Sequence, residues 1–204
     1  MEQAGIEALL REMESYAAAH HVPIINERGR QAFLAVVQEE RPRRILEIGT
    51  AIGYSTLLLL LHGAADARVT TLELSGERAE LARSFWARAG VSGRITLLTG
   101  DAGRILAELP GKLAAPYDFV FIDAAKGQYV DYFEKIQPLL APHCTVLADN
   151  VLFRDYVLGE EKAPRRYRTI VKRLRAYIEL VNHTPGFVTE ILERGDGLAV
   201  TRRK

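Results

Sequence analysis

Arg44-Ile-Leu-Glu-Ile-Gly-Thr-Ala-Ile-Gly-Tyr-Ser55 is the stretch on which the fold turns. Pro42, which has no N–H to donate, stands just outside it, and Ile45, Leu46 and Ile48 suit a strand buried on both faces. Gly49 and Gly53 let the backbone turn tightly and approach a ligand, and Tyr54 to Leu61 supplies the helix that follows. A strand, a glycine turn and a helix N-terminus together make a nucleotide-type pocket.

Downstream the same unit repeats. Strand candidates are Arg44 to Ile48, Arg68 to Glu73, Arg94 to Leu98, Tyr117 to Asp123 and Thr145 to Asp149, with helices expected at 54–63, 76–89, 102–108 and 127–136. Alternation of this kind predicts an α/β fold with a parallel sheet, right-handed crossovers and helices on both faces. Ligands of such sheets sit at the carboxyl ends of the strands, so the strand-ending residues carry the interest.

Upstream, Ile6, Leu9, Leu10, Met13, Tyr16 and Ala17 recur at three and four, which predicts an amphipathic helix to about His20, covering the body or a partner subunit. His20 and His21 are expected in a loop rather than as metal ligands, because adjacent side chains point apart and no Cys or third His is placed to help. A second helix spans about Asn26 to Glu40. Beyond Asp149, residues 154–168 are polar and look like an exposed loop, and a helix follows from about Arg165 to Val181. The strand-like pieces Phe187 to Leu192 and Leu198 to Thr201 then join through Arg194-Gly-Asp-Gly197, a hairpin turn.

The 204 residues read as a single domain: a helical cover over 1–40, a ligand core over 41–150, and a basic helix with a closing hairpin over 151–204. The longest apolar run, Leu57 to Leu61, is far too short to span a membrane, and the N-terminus lacks the basic-then-apolar pattern of a signal peptide. One cysteine, Cys144, excludes an internal disulfide and fits a reducing, cytoplasmic setting. The net charge of +1 hides an asymmetry. Residues 151–204 carry 12 Lys or Arg against 7 Asp or Glu, whereas residues 1–150 carry 15 against 19, so the basic end is the place to look for an anionic partner.

Acids close the strands. Glu73 would face ribose hydroxyls, and Asp101 is placed to accept from an adenine amino group. Asp123 ends the apolar run Phe119-Val-Phe-Ile, and Asp149-Asn150 ends Val146-Leu-Ala. If these two strands are neighbours, three hard oxygen donors converge on one edge of the pocket, a set that suits Mg²⁺ or Ca²⁺. Lys126, three residues past Asp123, would be held near that positive charge in its neutral form and become a possible general base.

The set Glu47 to Ser55, Thr71-Leu-Glu73, Gly100-Asp-Ala102, Phe121-Ile-Asp-Ala-Ala-Lys126 and Ala148-Asp-Asn150 resembles the metal-dependent class I S-adenosylmethionine O-methyltransferases, the group of catechol and caffeoyl-CoA enzymes. The resemblance implies a Rossmann-like, seven-stranded, mostly parallel sheet with an antiparallel last strand, and a homodimer. It implies S-adenosylmethionine contacts at Ile25, Glu47, Gly49, Thr50, Ser55, Glu73 and Ala102; Asp101, from its place after the third strand, and Asp123 are further candidates for cofactor contact. It further implies Asp123, Asp149 and Asn150 as ligands of Mg²⁺ or Mn²⁺, with Lys126 as the base. Plant caffeoyl-CoA enzymes carry an acid where Ala125 stands, so the cofactor contact made by that acid is absent here.

Within the family, His20-His-Val-Pro-Ile24, Ala115-Pro-Tyr-Asp118, Asp123-Ala-Ala-Lys-Gly-Gln-Tyr129, Asp149-Asn-Val-Leu-Phe153 and Gly195-Asp-Gly-Leu-Ala199 look like the bacterial branch that methylates 5-hydroxyuridine in tRNA. That nucleoside presents a hydroxyl beside a carbonyl, a chelating pair like a catechol. A tRNA substrate also needs cations for its phosphates. Arg165, Arg168, Lys172 and Arg175, with Arg154, Arg166 and the tail Arg202-Arg-Lys204, are candidates for a basic rim above the pocket. The alternatives are a small-molecule O-methyltransferase acting on catechol-like phenols, which needs no such rim, and a nucleotide-binding module without catalysis.

Overall fold

The computed structural model describes residues 3–110, 116–154, 156–159 and 163–204. Ala115 of the motif quoted above, and parts of the expected polar loop at 155 and 160–162, lie outside the described residues. Helices α1 (Gln3–Ala19) and α2 (Glu27–Glu40) precede β1 (Arg44–Ile48), α3 (Tyr54–His62), β2 (Arg68–Glu73), α4 (Gly76–Ala89), β3 (Ile95–Thr99), α5 (Ala102–Glu108), β4 (Tyr117–Ile122), α6 (Tyr129–Ile136) and β5 (Leu140–Asp149). Helix α7 (Arg168–His183) and the hairpin β6 (Phe187–Leu192) and β7 (Leu198–Arg203) complete the described chain.

The seven strands form one sheet in the order β3-β2-β1-β4-β5-β7-β6. Strands β1 to β5 pair in parallel, and β7 runs antiparallel to both β5 and β6. This is the Rossmann-like methyltransferase architecture expected from the sequence. The strand order reverses between β1 and β4, where the crevice at the carboxyl ends of an open sheet forms.

Alternate residues of each strand feed opposite cores, because successive side chains of a strand point to opposite faces. Ile45, Phe119, Phe121, Leu147 and Val200 pack on one side with α1 to α4, and Leu46, Val120, Ile122, Val146 and Ala199 on the other with α5 to α7. Helix α1 contributes Leu9, Met13 and Ala17, one face at a spacing of four, to the first core and packs on α4. It therefore covers the body itself. Truncating a fully buried aromatic such as Phe121 to alanine would cost about 3–5 kcal/mol.

The boundaries differ from expectation in small ways with local causes. Strand β3 starts at Ile95 because Arg94 is taken into a 3₁₀ turn, its N–H donating to Val91 O at 2.9 Å. Helices α6 and α7 each begin one 3₁₀ turn late, after 126–128 and 165–167. Strand β5 reaches back to Leu140, well before Thr145, and β4 stops at Ile122, so Asp123 is the first residue beyond the strand.

Candidate functional site

The tip of β1 is held between its two neighbours. Gly49 and Thr50 N–H groups donate to Leu72 O at 3.0 and 3.1 Å, while Asp123 N–H donates to Ile48 O at 2.9 Å. Gly49 adopts φ 103°, and a Cβ there would lie 2.0 Å from Asp123 O, so only glycine lets the β1 and β4 tips meet. At Gly53 (φ 82°) a Cβ would lie 2.4 Å from Trp86 Nε1, whose N–H donates to Gly53 O at 3.0 Å. The indole thus fixes the start of α3.

A cavity of about 460 Å³ opens over these tips. Of the residues expected to contact a cofactor, Ile25, Gly49, Thr50, Ser55, Glu73, Asp101, Ala102 and Asp123 line it. Glu73 spans the β1 turn, accepting from Ala51 N–H at 2.8 Å and Ser75 N–H at 2.9 Å. Asp101 caps α5 by accepting from Arg104 N–H at 2.9 Å.

Glu47 is the exception. It is fully buried and is not among the lining residues. One carboxylate oxygen accepts from Ser55 Oγ at 2.5 Å and the other from Thr71 Oγ1 at 2.6 Å and from Thr56. Burial pushes its carboxyl up to about 7 against the pull of these three hydroxyls. Glu47 thus braces the turn from beneath, through Ser55, and its distance from the cavity follows from its place inside β1 rather than at the strand end.

The adjacent tips of β4 and β5 place Asp123, Lys126, Asp149 and Asn150 in the same cavity. Asp149, nearly buried, accepts from Asn150 N–H at 2.7 Å, and Tyr129 O–H donates to Asp149 O at 2.9 Å. Asn150 holds φ 56°, turning the chain immediately past the strand. Burial raises the carboxyls of both Asp123 and Asp149, the latter to about 7, where the negative charges of Asp123 and, more weakly, of Asp196 in the turn before β7 add to the rise, while Lys126 pulls the Asp123 carboxyl back down. Among the described residues the cation in direct reach is Lys126, whose Nζ lies 3.9 Å from Asp123 Oδ1.

A buried carboxylate at Asp149 and a half-buried one at Asp123, beside an amide side chain with no partner among the described residues, form a donor set of hard oxygens that fits a divalent cation. No group of three or more His, Cys, Asp or Glu side chains among the described residues converges to hold a metal, so Asn150 is needed as the third donor.

Asp196 also lines the cavity and was not foreseen. It sits in the hairpin turn before β7, and the signal for it lay in topology: an antiparallel last strand beside β5 must bring its preceding turn to the Asp149 end. Gln128, Tyr132, Asn26 and Tyr54 are further lining residues that strand-end reasoning passes over.

The histidine pair is a loop feature, as expected: the His20 ring stacks on Tyr16 at 3.9 Å and His21 holds φ 53°. The basic rim is only partly assembled. Arg154 and Arg166 place their guanidinium groups over the Tyr167 ring at 5.5 and 4.6 Å, and Arg165 and Lys172 are exposed. Arg175 donates to Val157 O at 2.8 Å and Tyr156 O at 3.0 Å, and Arg168 to Ala163 O at 3.3 Å, so both are engaged in holding the preceding loop.

The tail does not join the rim. Because β7 is antiparallel, Arg202 pairs with Thr145, four residues back along β5 from Asp149 and on the side of the sheet away from the cavity. There it meets Glu40 at 2.6 Å and Glu39 at 3.2 Å, and Arg203 bonds to Ala141 O at 3.2 Å.

A model of the O-methyltransferase family matches residues 3–204. A catechol O-methyltransferase of Niastella koreensis is 34% identical over 155 residues, covering 76% of this chain and 70% of that one. Among solved structures, an O-methyltransferase from Bacillus cereus in complex with S-adenosylhomocysteine superposes with a TM-score of 0.84 at 32% identity, over 97% of this chain and 91% of that one. An O-methyltransferase of Streptomyces achromogenes involved in tomaymycin synthesis, in complex with S-adenosylmethionine, gives 0.82 at 26% identity, over 100% and 91%. The chain belongs to the O-methyltransferase family. Its place is with the S-adenosylmethionine-dependent enzymes that include the catechol and caffeoyl-CoA O-methyltransferases.

Proposed function

We propose that this protein transfers the methyl group of S-adenosylmethionine to a hydroxyl of a small catechol-like phenol, whose second oxygen stands beside the first. The observation that carries the reading is the convergence of Asp123, Lys126, Asp149 and Asn150 in the cavity lined by Gly49, Glu73 and Asp101. The methyl donor is held over β1 to β3, and the reacting hydroxyl over β4 and β5. Asp123, Asp149 and Asn150 would hold Mg²⁺ or Mn²⁺, which supplies polarisation of the acceptor hydroxyl when bound.

Lys126 Nζ takes the hydroxyl proton. The oxygen then attacks the methyl carbon, a C–O bond forms as the C–S bond breaks, and S-adenosylhomocysteine departs. Alignment of the two substrates in one cavity supplies much of the acceleration.

A second reading, methylation of 5-hydroxyuridine in tRNA to 5-methoxyuridine, is favoured by Arg154 and Arg166 on Tyr167 with exposed Arg165 and Lys172 nearby in the chain. Labelled S-adenosylmethionine offered with catechol, and separately with tRNA carrying 5-hydroxyuridine, separates the two. Label entering catechol in a chelator-sensitive manner supports the phenol reading, and label entering only the tRNA replaces it with the second. The enzyme would act as a homodimer in the cytoplasm, and light scattering on the purified protein tests the dimer.

A further inference from the structure

Asp196 occupies a turn whose backbone is fixed from three directions. Leu198 pairs with Asp149, Val151 N–H donates to Gly197 O at 3.1 Å, and Leu152 N–H donates to Asp196 O at 2.9 Å. On the other side Gly195 abuts α2, where a Cβ would lie 3.2 Å from Gly29 N. Gly197 (φ 82°) leaves the space filled by Leu152, since a Cβ there would lie 2.2 Å from Leu152 Cγ. The two glycines let the turn pack tightly, and the aspartate between them is presented on the cavity wall by a rigid support.

Its carboxylate is nevertheless unused. Among the described residues it accepts no hydrogen bond and meets no cation, although it lines the cavity with Asp149 and Asn150. Nor does it complete a three-acid metal group with Asp123 and Asp149. An ionised carboxylate is an acceptor only, so what it faces must bring a hydrogen-bond donor or a positive charge.

Resting on the proposed phenol reading, we infer that Asp196 is an acceptor-binding residue, selecting substrates with an O–H, N–H or ammonium group on the side facing the hairpin and rejecting those with a carboxylate there. Repulsion of a wrong partner contributes to specificity as much as attraction of the right one.

The test compares a catechol bearing an aminoethyl arm with one bearing a carboxylate, using wild type and Asp196→Asn. Initial rates are measured with Mg²⁺ and S-adenosylmethionine, and calorimetric binding of both catechols is measured with Mn²⁺ and S-adenosylhomocysteine. Wild type should favour the aminoethyl compound by tenfold or more in kcat/KM and in affinity. Asp196→Asn should lose most of that ratio while Mn²⁺ affinity, read separately by electron paramagnetic resonance, stays within twofold. An unchanged ratio with normal binding overturns this inference alone. A tenfold loss of Mn²⁺ affinity in the variant overturns it by making Asp196 a metal ligand. Failure of both catechols to bind or react with wild type overturns the phenol reading, and this inference with it.

Discussion

The Arg173 guanidinium on α7 donates from Nη1 to Gly127 O at 3.1 Å and lies over that glycine so closely that a Cβ at 127 would meet Nη1 at 2.6 Å. This contact pins the 3₁₀ turn 126–128 from outside the cavity, and Lys126 is the first residue of the turn. Displacing the turn should misplace the ammonium head with little effect on the cofactor half. Gly127→Ala would push the free end of the Arg173 side chain aside and break its hydrogen bond to the turn, so it is expected to lower kcat by no more than about threefold, while the dissociation constant for S-adenosylhomocysteine is unchanged. Arg173→Ala removes the same hydrogen bond, so it and the Arg173→Ala/Gly127→Ala double variant should show the same small loss, and wild-type kcat in Arg173→Ala would show that the contact does not hold the turn.

Lys126 itself tolerates no substitute that retains charge but gives up basicity. Replacement by alanine should reduce kcat by about 10²–10⁴, the usual range for a lost general base. Arginine should be no better, because a guanidinium does not give up its proton in this pH range. Rapid-quench measurement of a single turnover isolates the chemical step, and an arginine variant retaining wild-type rate would remove Lys126 from the role of base.

Removal of the oxygen donors separates the two halves of the cavity. Asp149→Ala, or a chelator added to wild type, is expected to abolish methyl transfer while S-adenosylhomocysteine binding by calorimetry persists within a few fold, because Gly49, Glu73 and Asp101 lie on other strands. Full activity in chelator would sink the metal assignment.

Glu47 gives a pH dependence whose sign is determined. Its carboxyl stands at about 7 in the fold against 4.5 as the ordinary value. Between those limits the folded state holds more protons than the unfolded one, so stability falls as pH rises through the window, by an amount on the order of 3 kcal/mol. The contribution is favourable below about 4.5 and fully lost above about 7. Asp149 carries the same sign, so Glu47→Gln should shrink the fall between pH 5 and 8, not erase it. Urea melts at both values check this, and an unaltered pH dependence in the variant would contradict it.

Much of the architecture was legible because it is written locally. The run from Arg44 to Ser55 carries strand, turn and helix in sequence, and the acids at 73, 101, 123 and 149 mark strand ends that a parallel sheet must bring to one edge. What escaped were facts of long range. Nothing in the spacing of Glu47 says that Ser55, Thr56 and Thr71 would enclose it, because Thr71 arrives from the neighbouring strand. The direction of β7 decided two outcomes at once: it sent Arg202 and Arg203 to the far end of the sheet and brought Asp196 to the cavity. Arg168 and Arg175 looked like a free cationic stripe because the loop carbonyls that occupy them follow no periodic pattern.

The lone reversed strand also sets the sequence in which the cavity can be completed. Most of its cofactor side comes from residues 44–102, contiguous strand-turn-helix units whose contacts close over short spans of chain, with Ile25 and Asp123 joining from outside that run. The opposite wall gains its Asp196 side only once Leu198 has found Asp149 across the intervening helix and hairpin. Loop-closure entropy makes such a distant pairing slow to form. The cofactor wall can therefore be shaped before the acceptor wall, and β7 acts as the keystone that converts a half-built nucleotide cleft into a transfer site.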